Sequence, residues 1–230
     1  MQPNSDSPYG KGSTSAKKSK LQHGIKLLGI ECTADQVDKL LVYLEMLEHW
    51  NKAYNLTAIR DPMQMIDLHL LDSLAILKYI EKSEAVIDVG TGPGLPGIPL
   101  AIMNPKKSFT LLDSNGKKTR FLFQVIAELG LDNVQEVNSR VELFTPEVLF
   151  DTVLSRAFSS IPDMLHNCDH LIFASGCFMA MKGKNPQSEL SKIEKAYKVD
   201  ELHRLDVPGV DGERHLVKII KKMQSPSLEP

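Results

Sequence analysis

The stretch "VIDVGTGPGLPGIPLAI" (residues 86–102) decides how the chain is read. It begins as a buried strand and then brings four glycines and three prolines almost together. Glycine permits positive φ and lets a ligand approach the backbone closely. In sheets of alternating strands and helices, ligands sit beyond the carboxyl ends of the strands, at the switch point after the first. Gly90, Gly92, Gly94 and Gly97 fall at that place, so the loop is expected to hold a ligand rather than merely turn the chain.

Three ligand classes compete for it. Gly92-x-Gly94-x-x-Gly97 matches the dinucleotide pattern G-x-G-x-x-G, but the strand ends at Val89. Counted from Gly90, the first turn residue, the sixth position is Leu95, where the pattern wants a glycine for helix–strand contact. Pro96 lacks the N–H that a pyrophosphate would seek at a helix start. No Gly-Lys-Ser/Thr follows, which excludes a Walker phosphate loop. Asp88, at the strand end, would repel phosphate and suits an ammonium group. Asp113, at the end of the second strand, is placed to accept hydrogen bonds from ribose hydroxyls. Ammonium plus ribose without phosphate describes S-adenosylmethionine, with Asp88, Gly90, Gly92, Gly94 and Asp113 as candidate contacts.

Outward from the loop, short apolar strands are expected at residues 85–89, 108–113, 134–137, 152–155 and 177–181, separated by helical patterns, the clearest at 117–129. Such alternation implies right-handed crossovers and a mostly parallel sheet covered on both faces, an α/β doubly wound fold. The end differs: "ELHRLDVP" and "ERHLVKIIKK" around "GVDG" read as an antiparallel hairpin. Upstream, Val37, Leu40, Leu41, Leu44, Leu47 and Trp50 fall on one face of a helix over residues 33–51, with Thr33 and Gln36 in capping-box form. A second helix is expected from Asp61-Pro62 to about residue 80. The expected organisation is a disordered basic tail (1–20), a helical subdomain (21–80), a cofactor-binding domain (81–222) and a short tail (223–230).

Composition sets the bounds. The 230 residues are 42% hydrophobic and 24% charged, ordinary for a globular protein with one full core. No apolar run reaches the ~20 residues a bilayer span needs, and the N-terminus lacks the apolar core of a signal peptide. Cys32, Cys168 and Cys177 show no paired spacing, which fits a reducing cytoplasm. With a formal net charge of −2, any nucleic acid must be met by local basic clusters.

The stretches "WNKAYNLTAIRDP", "HLLDSLA", "VIDVGTGPGLPGIPLAI", "FTLLDSNGKKTRFL", "NSRVE", "LSRAF" and "DGERHLV" occur in unbroken order from about residue 21 to 222. In this the chain resembles the bacterial small-subunit ribosomal RNA methyltransferase G family, also called glucose-inhibited division protein B. The glycine string alone marks only a class, whereas the full set is specific. The resemblance implies a class I methyltransferase fold and transfer of a methyl group from S-adenosylmethionine to a guanine N(7) in 16S rRNA. It implies cofactor contacts at Gly90, Leu95, Val141, Glu142 and Arg156, and a ribose-binding role for Asp113. The partner it implies is small-subunit rRNA, within the subunit or an assembly intermediate. A cytoplasmic monomer that touches no membrane is expected.

The residues agree beside it. "SRVE" follows the third strand, where an adenine would lie, and Val141 offers an apolar wall; Glu142 could equally be a solvated carboxylate. Arg140 and Arg156 each follow a serine at a strand end, where an unpaired guanidinium is costly to bury. Lys117, Lys118 and Arg120 crowd a helix start, where cations oppose the macrodipole. RNA phosphate would favour them, so Lys117, Lys118, Arg120 and Arg140 are the candidate RNA contacts. His166 and His170, with Cys168 and Asp169 between them, lack a third ligand in zinc spacing, and no metal is expected. The role of His69 is open, and Trp50 and Tyr54 are expected to staple helix to sheet rather than stack a base. After the fourth strand, "LSRAFSSIPD" has neither the Asn/Asp-Pro-Pro-aromatic of amino-directed methyltransferases nor a nucleophilic cysteine. No catalytic base is therefore expected, and Arg156 is expected to position. Rival readings are a methyltransferase acting on another RNA, a small molecule or a protein, and a cofactor-binding regulatory module.

Overall fold

The computed structural model describes residues 15–222 apart from Ala157 and Ser159. Seven strands form one sheet in the order β3-β2-β1-β4-β5-β7-β6. They are β1 (Ala85–Val89), β2 (Ser108–Asp113), β3 (Val134–Asn138), β4 (Phe150–Ser155), β5 (Ile172–Lys182), β6 (Tyr197–Arg204) and β7 (His215–Lys221). The first five pair in parallel, whereas β7 runs antiparallel between β5 and β6. This is the expected doubly wound sheet with its hairpin. β5 extends well beyond the expected 177–181, because its first residues continue past a register shift against β4 near Phe150.

The helices are α1 (Ser15–Leu27), α2 (Ala34–Tyr54), α3 (Pro62–Met65), α4 (Asp72–Leu74), α5 (Gly97–Met103), α6 (Gly116–Leu129), α7 (Ile161–Cys168) and α8 (Gln187–Leu190). Thr33 and Gln36 form the capping box that starts α2. Gln36 also donates from Nε2 to the carbonyl of Ile102, hooking α2 to the end of α5. Asn55, with φ of 50°, ends α2 in the left-handed conformation that asparagine tolerates better than most residues. Leu40, Leu44 and Leu47 of α2 are fully buried in one core with Ile98 of α5 and Phe121 of α6. Trp50 packs 5.6 Å from Phe121 of α6, so it joins helix to helix rather than helix to sheet as expected, while its neighbour Tyr54 stays 41% exposed.

Three expectations need correction. The tail expected over residues 1–20 is too long, since Ser15–Leu27 is helical with Leu21 and Ile25 buried; residues 1–14 and 223–230 lie outside the described residues. α1 crosses the chain around Leu71 so closely that a Cβ on Gly24 would collide with the Leu71 side chain. The single helix expected over 61–80 is instead α3, a π-helical turn over Ile66–Leu71, α4 and a 3-10 turn over Leu77–Ile80. Periodicity cannot register this widening, because the apolar residues remain on one side while the hydrogen-bond ladder slips by one residue. Between β3 and β4 the connection carries a 3-10 turn, Val141–Leu143, and no α-helix.

Candidate functional site

The glycine loop is wound so that its own chain consumes every donor it has. Gly90 and Thr91 donate to the carbonyl of Leu112 at 2.8 and 3.1 Å. Gly92 donates to Asp113 Oδ2 at 2.9 Å, and Gly94 and Leu95 donate to the carbonyl of Thr91 at 3.0 and 2.9 Å. Gly97 donates to Asp88 Oδ2 at 2.9 Å, and the two remaining positions, Pro93 and Pro96, have no N–H. No peptide N–H from Gly90 to Gly97 is left to hold an anion. Gly90, Gly92 and Gly94 have φ of 70°, 64° and 97°, the region glycine alone enters freely.

Gly97 plays a part that counting from Gly90 misses. A Cβ there would collide with Leu111 and stand 3.0 Å from Asp88 Oδ2, so Gly97 is the glycine of close helix–strand contact. Leu95, by contrast, is a core residue at 2% exposure and not part of the lining of the cavity that opens beside the loop.

Asp88 lies under the loop. It is 0% exposed, and besides Gly97 it accepts from Thr91 Oγ1 at 2.7 Å. Burial raises its pKa to about 6, opposed by those two bonds and by the charge of Arg156. Its other oxygen, Oδ1, is buried with no hydrogen-bond partner. From the opposite side Tyr43 of α2, fully buried, donates to the carbonyl of Pro93 at 2.8 Å. Sequence reading misses Tyr43, whose only signal is its place among the apolar residues of α2.

A cavity of about 510 Å³ opens beside the loop at the carboxyl edge of β1, β2 and β3. Gly90, Asp113, Lys118, Arg140, Val141 and Glu142 line it, while Asp88, Gly92, Gly94 and Leu95 of the expected cofactor contacts are not in its lining. Asp113 is nearly buried; Oδ2 accepts from Gly92 and, at 3.4 Å, from Lys118 Nζ, while Oδ1 accepts from Asn115 N at 2.8 Å. A carboxylate offers about four acceptor positions, so one on Oδ1 remains open. Arg140 is 73% exposed at its side chain and stands 3.7 Å from Glu142. Phe158 closes the far side, a contact with no forewarning in the sequence. Lys117 and Arg120 lie exposed on α6, outside the cavity lining.

Arg156 is elsewhere. It donates from a terminal nitrogen to Asp72 Oδ2 at 3.1 Å, while Arg214 donates from Nε to Asp72 Oδ1 at 2.8 Å. These residues, with His69 and His215, line a second cavity of about 410 Å³. The two cavities are neighbours: Arg156 lines the second and Phe158, two residues further along, lines the first. Asp72 and Arg214 escape notice in the sequence because their meeting spans 142 residues. His69, 5% exposed, faces Thr57 Oγ1 at 2.9 Å, and burial with the charge of Arg156 lowers its pKa to about 4 against the opposing Leu68 carbonyl. In the segment from His166 to His170, Asp169 pairs with Lys221 and accepts from Tyr197, and His170 meets the carbonyl of Phe144.

Known proteins resemble the chain in sequence and in fold. Residues 36–217 match the family described as rRNA small subunit methyltransferase G. A relative from Shewanella woodyi named Ribosomal RNA small subunit methyltransferase G is 54% identical over 195 residues, covering 85% of this chain and 94% of that protein. A relative of the same name from Nitrosococcus oceani is 49% identical over 199 residues, covering 86% of this chain and 92% of that protein. Among solved structures, a putative O-methyltransferase from Klebsiella pneumoniae superposes with a TM-score of 0.57 at 14% identity, covering 88% of this chain and 96% of that one. A ribosomal protein L11 methylase from Lactobacillus delbrueckii subsp. bulgaricus gives 0.51 at 19% identity, covering 66% and 77%. Likeness at such identity speaks for the fold, that of the class I methyltransferases. With most of its length matched by the family and by close relatives, the chain belongs to the ribosomal RNA small subunit methyltransferase G family.

Proposed function

We propose that this methyltransferase takes its methyl group from S-adenosylmethionine and delivers it to N(7) of a guanine in 16S rRNA. The observation that carries the choice of donor is the glycine loop, whose N–H groups are all engaged within the chain. Such a loop offers a phosphate nothing, while Asp113 beside it keeps an acceptor position for a hydroxyl. A nucleoside without phosphate fits, with Asp113 taking the ribose, Val141 and Phe158 walling the adenine, and Glu142 and Gly90 at its margins. Asp88, whose buried Oδ1 lacks a partner, suits the ammonium end of the same molecule. When bound, S-adenosylmethionine would supply an electrophilic methyl group on a sulfonium.

The chain's own task is then mainly one of placement. Guanine N(7) has an in-plane lone pair and carries no proton before attack, so no side chain has to remove one. What the protein must do is hold nucleophile and methyl carbon near ~3 Å in line. Arg156, fixed by Asp72, positions at the boundary of the two cavities. Lys117, Lys118, Arg120 and Arg140 place cations on the rim for RNA phosphates, which favours nucleic acid over a small apolar substrate. Three free cysteines are consistent with a cytoplasmic protein.

The test has two arms. S-adenosylmethionine at a hundredfold its dissociation constant should stabilise the fold by about 2.7 kcal/mol, and NAD should not. Mass spectrometry of 16S rRNA from cells with and without the gene should find one guanine that loses its N(7) methyl group. A shift with NAD alone refutes the donor; unchanged rRNA refutes the acceptor and returns the alternative of another RNA or a small molecule.

A further inference from the structure

The second cavity contains a buried polar atom that the fold leaves unused. His69 sits in the π-helical turn, and its Nδ1 has no hydrogen-bond partner. The ring is held from its other side, where Nε2 lies 2.9 Å from Thr57 Oγ1. Thr57 Oγ1 accepts from Ile59 N at 3.2 Å and still has its own hydrogen to give; directed at Nε2, that hydrogen puts the imidazole's proton on Nδ1. In that tautomer His69 is a neutral donor whose ring is held by Thr57, lining a cavity one short segment away from the first. A buried donor left unpaired is costly, so the site favours a ligand with an acceptor there.

The neighbouring arginines say which acceptor. At a guanine edge, arginine ordinarily takes O6 and N7 together, and that contact would cover the lone pair that has to attack the methyl group. Here Arg156 and Arg214 are both engaged by the one carboxylate of Asp72, at 3.1 and 2.8 Å. A single uncharged donor can reach O6 and leave N7 open. Adenine presents an N6 amino group at the same place, so it would meet that donor with another donor.

We infer that His69 selects the methyl acceptor, its Nδ1–H donating to O6 of the target guanine in the second cavity while Asp72 keeps Arg156 and Arg214 away from N7. The inference rests on the guanine N(7) reading above. It makes His69 a specificity residue and Asp72 a positioning residue, both supplied by the helical subdomain rather than by the sheet.

The experiment uses small-subunit particles carrying either guanine or 2-aminopurine at the target position, the latter keeping N7 but lacking O6. Single-turnover methyl transfer is measured for the intact protein and for His69→Phe, His69→Asn and His69→Gln, with S-adenosylmethionine affinity followed by calorimetry. On guanine, His69→Phe should lose about tenfold or more. His69→Asn, whose amide lies where Nδ1 was, should recover most of the rate, and His69→Gln should not. On 2-aminopurine the intact protein and His69→Phe should be equally slow. Equal losses on both bases, no rescue by asparagine, or a parallel loss of cofactor affinity would each overturn the inference. If the intact protein leaves the guanine unmethylated at N(7), the functional reading itself has failed.

Discussion

The two cavities lie along one sheet edge and are built in opposite ways. Around the first, the glycine loop is closed on itself: six N–H groups find six bonds, two prolines remove the remainder, and Asp113 and Tyr43 tie it to β2 and α2. Around the second, groups are left open or shared. One carboxylate serves two guanidiniums, and His69 and His215 each have a buried Nδ1 without a partner. On the function proposed above, the difference matches two demands. A loop that must stay in one shape beside a small, invariant ligand gains from saturation. A cavity that must take in part of a large substrate keeps its donors free until that substrate arrives.

The largest effect expected from this contrast is at Asp72, whose side chain is 4% exposed. Asp72→Ala leaves two partly buried cations without their acceptor, and breaking buried pairs costs about 3–5 kcal/mol. Because both arginines keep about a quarter of their side-chain surface in water, the low end, about 3 kcal/mol, is expected by urea unfolding. Methyl transfer should fall by more than about a hundredfold, since an arginine released from Asp72 is free to cover the nucleophile. Transfer within about threefold of the intact protein would show that the second cavity stands apart from the reaction.

A comparable effect, spread over pH, separates the two cavities by sign. Asp88 holds its proton more tightly when folded, with a pKa of about 6 against an ordinary 3.8. Its contribution to stability is present below about pH 4 and lost as pH rises through 6. His69 is the reverse, at about 4 against 6.5. Its contribution is present above about pH 6.5 and lost as pH falls through 4. Each is worth roughly 3 kcal/mol at most, and in the intact protein they largely cancel. Asp88→Asn should uncover a stability that rises with pH across this window, and His69→Phe one that falls. Urea unfolding from about pH 4 to 7 reads both slopes; parallel curves for all three proteins would show that neither group is charged as its burial implies.

The smallest effect belongs to the rim. Lys117 and Arg120 carry no ion pair among the described residues, whereas Lys118 is bound to Asp113 and shares the first cavity. Reversing Lys117 and Arg120 to glutamate should therefore weaken RNA binding without disturbing cofactor affinity. For every phosphate no longer neutralised, the salt dependence should flatten by roughly 0.7–0.9 of a unit. An unaltered salt slope would place the RNA on another face.

What can be read in advance follows the range of the interactions involved. Strand β1, the loop and Asp113 announce themselves within about thirty residues, because strand periodicity, glycine and a strand-end carboxylate are local signals. The capping box at Thr33 is legible for the same reason. The π-helical turn is not, since its apolar spacing mimics an ordinary helix. Nor is the donor saturation of the loop, which depends on Leu112 and Asp113 from the neighbouring strand. Arg156 stands out in the sequence, but its partners Asp72 and Arg214 belong to distant elements, so its place in the second cavity can be seen only in three dimensions.

The position of β7 has a consequence for the order in which the molecule matures on the ribosome. Since β7 lies between β5 and β6, the earlier-made β6 has no edge to join until β7 has left the exit tunnel. A nascent chain lacking that strand can already fold β1 to β5 and the glycine loop, as domains do from their N-terminal side. It would lack Arg214, which immediately precedes β7 and closes on Asp72, so the second cavity is completed last. Stalled chains are then expected to bind the methyl donor without being able to use it, a separation that ribosome-bound nascent chains of stepped length would display directly.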